Sequence, residues 1–259
     1  MSVLTAQNIG IQRNQKWLIE NINLQFEAGQ LTSLIGVNGA GKTTLLGALG
    51  RLWAADQGDI LLHDRRLTEY SHAELAKIIS FVPQSTHISF SFSVWDIVMM
   101  GRNPHIKRFE NESDYDQHCV EQALIETDTV HLAQRSVTEL SGGERQRVII
   151  ARSLASEAAI ILLDEPIASL DIAHALHVLD LCQGLAQQGK TIILSLHDIN
   201  LATRFSDQMV LLHKGQVFAQ GSATEVLSTE HLKQVFNVNV ESLYTTQQQL
   251  QFYFSLAES

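Results

Sequence analysis

The sequence Gly36-Val37-Asn38-Gly39-Ala40-Gly41-Lys42-Thr43 follows a short apolar run, Leu31 to Ile35, and precedes a pattern typical of a helix. Glycines let successive backbone N–H groups turn inward around anionic oxygens, and the N-terminus of the following helix also attracts negative charge. Lys42 can place a point charge on the β- and γ-phosphates, and Thr43 a hydroxyl on Mg²⁺. The segment therefore predicts a loop that binds ATP or GTP. Its predicted binding residues are Gly36, Asn38, Gly39, Ala40, Gly41, Lys42, Thr43 and Thr44.

Two carboxylates end a second apolar run, Ile160 to Leu163. A buried strand here would deliver Asp164 and Glu165 to the carboxyl edge of a sheet, beside the phosphate-binding loop. Because strand neighbours alternate in direction, we expect Asp164 to hold Mg²⁺, directly or through water, and Glu165 to polarise an attacking water. The alternative is a pair of solvated acids at a strand end, and the upstream loop argues against it.

A second glycine-rich segment, Ser141-Gly142-Gly143, opens a helical pattern that runs through Arg147 to about Ser156. The exposed N–H groups of such a helix and the Ser141 hydroxyl predict a second anion site. This half-site lies far along the chain from Lys42. The simplest geometry is a head-to-tail dimer in which Ser141 caps the γ-phosphate bound by the loop of the other chain. Taken alone, the segment could equally be a plain helix cap.

Together these motifs resemble those of the ATP-binding cassette (ABC) ATPases, from about residue 3 to residue 240. The resemblance implies ATP and Mg²⁺ as cofactors. It also implies an α/β fold, a P-loop NTPase ABC cassette with a RecA-like core, an N-terminal antiparallel β subdomain and an inserted α-helical subdomain. We expect one ATPase domain over residues 1–259. Its predicted parts are a core at about 1–84 and 158–240, a helical subdomain at about 85–157 and a tail at 241–259.

Alternating strand and helix patterns after residue 157 favour a mainly parallel sheet covered by helices, independently of the resemblance. The predicted elements in this region are Ile160 to Leu163, Ile172 to Gln188, Thr191 to Leu196 and Asn200 to Phe205. Short strands are expected further on, at Met209 to Leu212, Gln216 to Ala219 and Leu250 to Phe254, with a short helix near His231 to Phe236.

Three further residues match positions that are functional in the family. Gln84 resembles the glutamine that touches Mg²⁺ and the attacking water and reports to the membrane subunit. Asp171 resembles the residue that crosses the dimer interface. His197 resembles the histidine that bonds the γ-phosphate and orients Glu165, although lone histidines are more often structural or solvent-facing. The resemblance therefore implies Lys42, Glu165 and His197 as catalytic residues, Gln84, Ser141, Gly142, Gly143 and Asp171 as further nucleotide-site residues, and Thr43, Gln84 and Asp164 as metal ligands.

The amino-terminal strand departs from the family pattern, which places an aromatic ring there to stack on adenine. The corresponding stretch, Gly10 to Asn14, has no ring. Arg13 could stack its guanidinium plane on the base, or Trp17 could reach it, since both chemistries suit a purine face. The sequence leaves the choice open.

One segment points to a group within the family. Val94 to His105 contains a Gly-Arg-x-Pro-His pattern that resembles the ATPases driving uptake of ferric siderophores, haem and vitamin B12. The resemblance implies integral membrane permease subunits docking near Gln84 and this segment, with a groove formed by its apolar run and a loop shaped by Arg102 and His105. The alternative is a helix with its proline stop. A ferric siderophore is our first choice of cargo, with haem and vitamin B12 as alternatives.

Composition narrows the remaining possibilities. The net charge of −10 argues against a nucleic-acid partner, which would need a basic face. Met1 to Gln7 lacks the pattern of a signal peptide, and no stretch approaches the ~18 uninterrupted apolar residues of a membrane span.

Cys119 and Cys182 are in no metal or redox spacing, and Cys182 lies on an apolar stripe that includes Ile172 and Ala186, so both are expected to be plain thiols.

We therefore expect a soluble, peripheral subunit on the cytoplasmic face of the inner membrane. It should pair with a second copy of itself and serve permease subunits, with a periplasmic or surface substrate-binding protein as an indirect partner. Two other classes stay open. A non-transport ABC ATPase acting on nucleic acid would show salt-sensitive DNA or RNA binding. A non-catalytic nucleotide sensor would lack ATPase activity with its membrane partner present.

Overall fold

The chain alternates strands and helices over residues 2–84, 88–107, 109–244 and 250–256, which a computed structural model describes. Its strands are β1 (Ser2–Arg13), β2 (Lys16–Glu27), β3 (Leu31–Ile35), β4 (Gln57–Leu62), β5 (Arg65–Arg66), β6 (Ile79–Val82), β7 (Ile160–Leu163), β8 (Thr191–Ser195), β9 (Gln208–His213), β10 (Gln216–Gly221), β11 (Val238–Tyr244) and β12 (Leu250–Leu256). Its α-helices are α1 (Lys42–Leu49), α2 (His72–Ala76), α3 (Val94–Met99), α4 (Asp114–Glu126), α5 (Gly142–Ala155), α6 (Ile172–Gln187), α7 (Ile199–Phe205), α8 (Ala223–Val226) and α9 (Thr229–Phe236).

The central sheet has the strand order β10-β9-β3-β8-β7-β6, and β10 runs antiparallel to its neighbour while the other pairs are parallel. Strands β3, β7 and β8 are buried along their whole length, as expected for a parallel sheet covered on both faces. Because side chains alternate across a strand, Ile161 and Leu163 join one hydrophobic core and Ile160 and Leu162 the other. The predicted mainly parallel sheet is thus observed.

A second, antiparallel sheet has the order β2-β1-β4-β5. Its buried side chains, among them Ile9, Ile22 and Phe26, share a core with Leu45 and Leu49 of α1. The helix that follows the phosphate-binding loop is therefore packed between the two sheets. Strand β4, which sequence patterning did not predict, joins this sheet by pairing with β1.

Helices α3, α4 and α5 lie between β6 and β7 and pack on one another. The predicted start of a helical subdomain at residue 85 falls outside the described residues. Val94, Ile97 and Val98 are all buried in the core of this helical region. These three side chains therefore do not line the docking groove predicted for this apolar run, since their three- to four-residue spacing puts them on the inner face of α3.

A buried arginine ties the end of this segment to the other two helices. The side chain of Arg102 is 3% exposed, and its Nε donates to Oδ1 of Asp116 on α4 at 2.8 Å. Its Nη1 donates to the Ala155 carbonyl oxygen and to Oε2 of Glu157, each at 2.8 Å. Three elements are therefore joined through one guanidinium group, whose planar fork suits such multiple contacts.

The histidine of the same pattern makes a similar link. Nε2 of His105 lies 2.9 Å from the Ser156 carbonyl oxygen, just past the end of α5. Hydrogen bonds from Ser113, together with Arg102, lower the pKa of Asp116 to about 2 and keep its carboxylate charged. Arg102 and His105 of the Gly-Arg-x-Pro-His pattern thus hold the helices of this region together through hydrogen bonds. The segment is therefore not only the helix and proline stop considered above.

Both cysteines are buried free thiols, as predicted. Burial raises the pKa of Cys182 to about 12. The predicted apolar stripe of α6 is wrong at one end, because Ile172 is 80% exposed while Leu179 and Ala186 are buried. Ile172 is the first residue of α6, and the buried residues of this helix begin at Ala175.

The end of the chain forms an antiparallel hairpin of β11 and β12, with Val240 opposite Phe254 and Ser242 opposite Phe252. Phe252 is buried in the main core, against which Val240 and Leu250 also pack. Strand β11 begins at Val238, so the predicted boundary between core and tail at residue 240 cuts a strand. Residues 245–249 and 257–259 of the predicted tail lie outside the described residues.

Replacing Arg102 with methionine should destabilise the protein by about 3 kcal/mol, because Asp116 would stay buried without its charged partner. The loss should appear in the free energy of unfolding by denaturant at neutral pH. Since the pKa of Asp116 is about 2 in the folded protein, against about 3.9 when unfolded, its stabilising contribution is present above pH 4 and is lost as the pH falls toward 2.

The matched control is Arg66→Met, which breaks an exposed pair with Asp59 at 3.4 Å. Exposed pairs contribute under about 1 kcal/mol, so this variant should unfold almost like the parent. Equal effects of the two substitutions would contradict the structural role assigned to Arg102.

Candidate functional site

Four parallel strands deliver their following residues to one edge of the central sheet. The phosphate-binding loop follows β3, Gln84 follows β6, Asp164 and Glu165 follow β7, and His197 follows β8. The register places Val82 beside Leu163 and Leu163 beside Leu194, so these strands end nearly level. Ligands of open α/β sheets bind at this carboxyl edge. The sequence-predicted residues that follow these strands are therefore brought together.

The loop needs glycine at its turning points. Gly36 has φ +146° and Gly41 has φ +104°, both in the region that other residues rarely adopt. A Cβ atom at Gly36 would also overlap the carbonyl oxygen of Leu212, and one at Gly41 would overlap the Ile19 side chain. The glycines therefore let the loop lie close against β9 and β2 while it turns into α1.

Lys42 is buried beneath this loop, with 6% exposure. Its Nζ donates to the carbonyl oxygens of Gly36 at 2.8 Å and of Val37 at 3.3 Å. Burial lowers the pKa of Lys42, and the nearby charges of Glu165 and Asp164 oppose that shift. The ammonium group is thus a partly desolvated cation, which interacts strongly with an anion that approaches it.

A cavity of about 440 Å³ opens over the loop. It is lined by Leu18, Asn38, Gly39, Ala40, Gly41, Lys42, Thr43, Thr44, Gln84, Glu165 and His197. Gly36 and Asp164 do not line it. Gly36 lies underneath and acts through its carbonyl oxygen on Lys42. Asp164 is buried, with 2% exposure.

Glu165 is held from both sides at the mouth of this cavity. Nε2 of Gln84 donates to its Oε2 at 2.5 Å, and Nε2 of His197 contacts its Oε1. Its backbone has φ +47°, an uncommon conformation for a residue with a side chain. Strand β7 ends at Leu163, so Glu165 lies in the turn that follows the strand. The backbone conformation of that turn directs the carboxylate toward the loop, and the strand alternation assumed from the sequence does not apply.

Ser195 is a residue that sequence reasoning missed. Its Oγ donates to Oδ1 of Asp164 at 2.8 Å and accepts from the backbone N–H of Glu165 at 2.8 Å. A fully buried hydroxyl thus fixes both carboxylate residues. The sequence signal available for it was a polar residue that follows the apolar run Ile192 to Leu194, two positions before His197.

The second glycine-rich segment and Asp171 are not brought to this cavity. Ser141 is exposed at the N-terminus of α5 and forms a capping box with Glu144, whose N–H it accepts at 3.3 Å. A Cβ at Gly143 would come within 3.4 Å of the Leu170 side chain. The segment and the turn that precedes Asp171 are therefore neighbours on a separate part of the surface.

Local hydrogen bonds keep both acids of this second region charged. Hydrogen bonds from the backbone N–H and the hydroxyl of Ser141 lower the pKa of Glu144. Asp171 caps α6 by accepting the N–H of His174 at 2.9 Å, and this contact lowers the pKa of Asp171. Ser141 thus makes the simple helix cap that was the alternative interpretation, and the residue is also exposed.

Neither candidate for adenine stacking lines the cavity. Arg13 pairs with Asp56 at 3.5 Å, and the Trp17 ring lies against Gly10 on β1. Leu18, which follows Trp17 on β2, lines the cavity instead. Stacking by Arg13 or Trp17 stays a prediction.

The donors near the loop fit Mg²⁺. Thr43 is exposed at the start of α1 and lines the cavity together with Gln84, and the Asp164 carboxylate lies near enough to Lys42 to interact with its charge. No group of three or more His, Cys, Asp or Glu side chains able to hold a metal occurs within the described residues. Mg²⁺ is usually bound by one or two carboxylates together with substrate phosphates, so this set fits.

A glycine loop with a buried lysine, facing a carboxylate clamped by an amide and an imidazole, defines a nucleotide-hydrolysing P-loop protein. Comparison with known proteins agrees. The ABC transporter family model matches residues 19–168. The iron(3+)-hydroxamate import ATP-binding protein FhuC of Bacillus subtilis is 38% identical over 93% of this chain and 90% of its own length. The hemin import ATP-binding protein HmuV of Pseudomonas fluorescens is 39% identical over 92% of this chain and 94% of its own.

A solved structure extends the comparison to the fold. The dimeric structure of MJ0796, a bacterial ABC transporter cassette, superposes with a TM-score of 0.76 at 26% identity, covering 85% of this chain and 98% of that one. This chain therefore belongs to the ABC transporter family, as an ATP-binding subunit with the ABC cassette fold, and it is an ATPase. Among the described residues, none of the helices has the length and hydrophobicity to span a bilayer.

Replacing Ser195 with alanine should lower the rate of ATP hydrolysis about tenfold, because Asp164 and the Glu165 backbone would lose the group that fixes them. The KM for ATP should change little, since the loop is untouched. Steady-state ATPase assays measure both quantities.

Ser33→Ala is the matched control. Ser33 is equally buried and lies on the adjacent strand β3. Its Oγ is 2.5 Å from the Oγ of Ser206, and neither residue lines the cavity. Its loss should cost stability but leave turnover near the parent value. Equal losses of turnover would mean that Ser195 acts only through general stability.

Proposed function

We propose that this chain is the ATP-hydrolysing subunit of an importer for a ferric siderophore. Two copies would sit peripherally on the cytoplasmic face of the inner membrane, beneath permease subunits fed by a substrate-binding protein. The observation that carries the catalytic part is the Glu165 carboxylate, held between Gln84 and His197 at the mouth of the phosphate loop. A carboxylate fixed there can orient and polarise a water for in-line attack on a γ-phosphate.

Each residue around the cavity has a role in this proposal. The loop N–H groups and Lys42 bind the phosphates of ATP. Thr43, Gln84 and Asp164 would hold Mg²⁺, which supplies positive charge to the phosphate oxygens when bound. Glu165 accepts a proton from the attacking water, and His197 keeps the Glu165 side chain in place and bonds the γ-phosphate. Catalysis is then mostly positioning and charge stabilisation.

The second half-site supports a head-to-tail dimer. Ser141 and Gly142 are exposed at the N-terminus of α5, and Asp171 is exposed close by. A helix N-terminus of this kind attracts anions. The MJ0796 cassette was solved as a dimer. We infer that Ser141, Gly142 and Gly143 of one copy contact the γ-phosphate held by Lys42 of the other, and that Asp171 lies across the same interface.

The permease would sense this cycle through Gln84, which is exposed and bonded directly to Glu165. Docking is proposed near Gln84 and the segment from Val94 to His105. Because α3 buries its apolar face, the apolar surface available there includes the exposed Phe90 and Phe92 and the partly exposed Trp95. Closure of the dimer would then move this surface together with the helices behind it.

The choice of cargo follows the relatives. FhuC is named for iron(3+)-hydroxamate import and HmuV for hemin import, and both match nearly the whole chain. Ferric siderophore is the proposal, with haem and vitamin B12 as the alternatives. Since the cargo crosses the permease, the ATPase contributes only the energy, and a transport assay is needed.

Glu165→Gln should reduce ATP hydrolysis by roughly 10²–10⁴-fold, the usual contribution of a positioned base, while preserving ATP binding. The trapped nucleotide should hold two copies together, so size-exclusion chromatography with ATP should show a dimer. Adding Ser141→Arg should return this variant to a monomer with ATP affinity unchanged, because the new side chain would occupy the second half-site.

Ser71→Arg in the same Glu165→Gln background is the control. Ser71 caps α2 through the same kind of capping box but lies outside the cavity and the second half-site. It should leave the ATP-dependent dimer intact. A Glu165→Gln protein that hydrolyses ATP at the parent rate, or a Ser141→Arg protein that still dimerises, would contradict the proposed assignment.

Uptake of radioactive iron from a ferric siderophore tests the transport proposal in intact cells. Lys42→Ala should abolish it. Lys190→Ala is the matched control. The partly buried Lys190 ammonium also donates to backbone carbonyl oxygens, those of Glu157 at 3.3 Å and Ala158 at 2.8 Å, but it is far from the loop in sequence. Unchanged uptake by an expressed Lys42→Ala protein would exclude this cargo, and labelled haem and cobalamin would be tested next.

A further inference from the structure

The C-terminal hairpin is joined to the helix that follows His197. Oδ1 of Asn200 accepts the backbone N–H of Phe252 at 2.8 Å, and Nδ2 of Asn200 donates to the Phe252 carbonyl oxygen at 3.2 Å. One side-chain amide thus pairs with both backbone groups of one residue on β12, much as a neighbouring strand would. Two bonds to the same residue fix the Asn200 side chain in direction as well as distance.

The anchor at the other end of this link is rigid. Phe252 is 4% exposed and belongs to the main hydrophobic core. Strand β12 pairs with β11 along its length, and Val240 and Leu250 pack against the same core. Asn200 is therefore bonded to a part of the hairpin that is itself fixed by burial.

Asn200 sits one turn or less from the residue that contacts Glu165. Helix α7 begins at Ile199, and Asp198 caps it by accepting the N–H of Leu201 at 2.9 Å. His197 thus lies between the end of β8 and this cap. Its backbone is held from one side by the sheet and from the other by the first turn of α7, which is the turn that Asn200 attaches to the hairpin.

Position matters at His197 because the imidazole is half exposed, with 45% of its side chain accessible. Apart from its contact with Glu165, the ring is confined on one side only, so the backbone of His197 also determines where it lies. A displacement of about 1 Å can cost as much as 10²-fold in rate at a reacting group. The far end of α7 has its own tether, from Nε2 of Gln183 to the Phe205 carbonyl oxygen, whereas the first turn is bonded to the hairpin through Asn200 and packs on the core through Ile199.

We propose that Asn200 is a positioning residue for His197 and that the C-terminal hairpin, through the Phe252 backbone, holds the first turn of α7 in register with the catalytic edge of the sheet. This inference rests on the proposed role of His197. It gives the hairpin, which is distant in sequence from every motif described above, a part in ATP hydrolysis.

Asn200→Ala tests the proposal in the full chain. We expect the kcat for ATP hydrolysis to fall about tenfold with the KM for ATP unchanged, because the phosphate loop is not involved. Hydrogen–deuterium exchange should be faster over residues 196–203, which reports loosening of the first turn directly. Equilibrium ATP binding at the parent affinity shows that the variant is folded.

Asn239→Ala is the matched control. The Asn239 side chain also bonds a strand carbonyl, that of Leu256 at 3.3 Å, but this contact stays within the hairpin. Its kcat and its exchange over residues 196–203 should match the parent. Parent values of kcat and exchange in Asn200→Ala, or equal changes in the two variants, would overturn the proposal.

A double-mutant cycle separates this inference from the function on which it rests. If Asn200 acts through His197, Asn200→Ala should cause no further loss of kcat in the His197→Ala background. A loss that persists in full there overturns the positioning role while leaving the catalytic assignment intact. Parent activity of His197→Ala alone overturns the assigned role of His197 and the inference with it.

Discussion

The parallel pairing of β3, β8, β7 and β6 is the constraint on which the site depends. Parallel strands share one carboxyl edge, and in this chain each of the four is followed within two residues by a loop or side chain of the site. Segments separated by more than a hundred positions in the chain are thereby placed around one cavity. The three inner strands β3, β8 and β7 are buried on both faces, which explains why they are short, mostly apolar runs without charged residues.

Much of this arrangement could be predicted, because apolar runs and glycine patterns are local signals. The strands Leu31–Ile35 and Ile160–Leu163 have the predicted bounds, and the observed fold is the ABC cassette that the motifs indicated. The residues that fix the site were harder to predict. Ser195 works through partners about thirty positions away, and nothing in its own neighbourhood marks it as a link between two carboxylates.

The errors share a physical origin. The apolar run from Val94 looked like a docking surface because sequence shows hydrophobicity but not which way a helix faces. Ile172 was expected to be buried because it fits the apolar spacing of α6, but that spacing does not show where the buried part of the helix begins. The turn at Glu165 depends on a backbone conformation with φ +47°, which cannot be predicted from sequence because glutamate rarely adopts it. Direction, termination and backbone strain are set by tertiary contacts, which a one-dimensional pattern does not contain.

Polar groups assigned to act between two chains are already paired within one. Ser141 bonds Glu144, Asp171 bonds His174, and Lys42 bonds the carbonyl oxygens of its own loop. A single copy therefore buries no unpaired charge at these positions, and association is not needed to satisfy them. If the shared-site proposal holds, ATP must supply the attraction between copies by offering its γ-phosphate to both half-sites. The strength of the interface would then depend on the intact phosphate and would fall once hydrolysis has occurred.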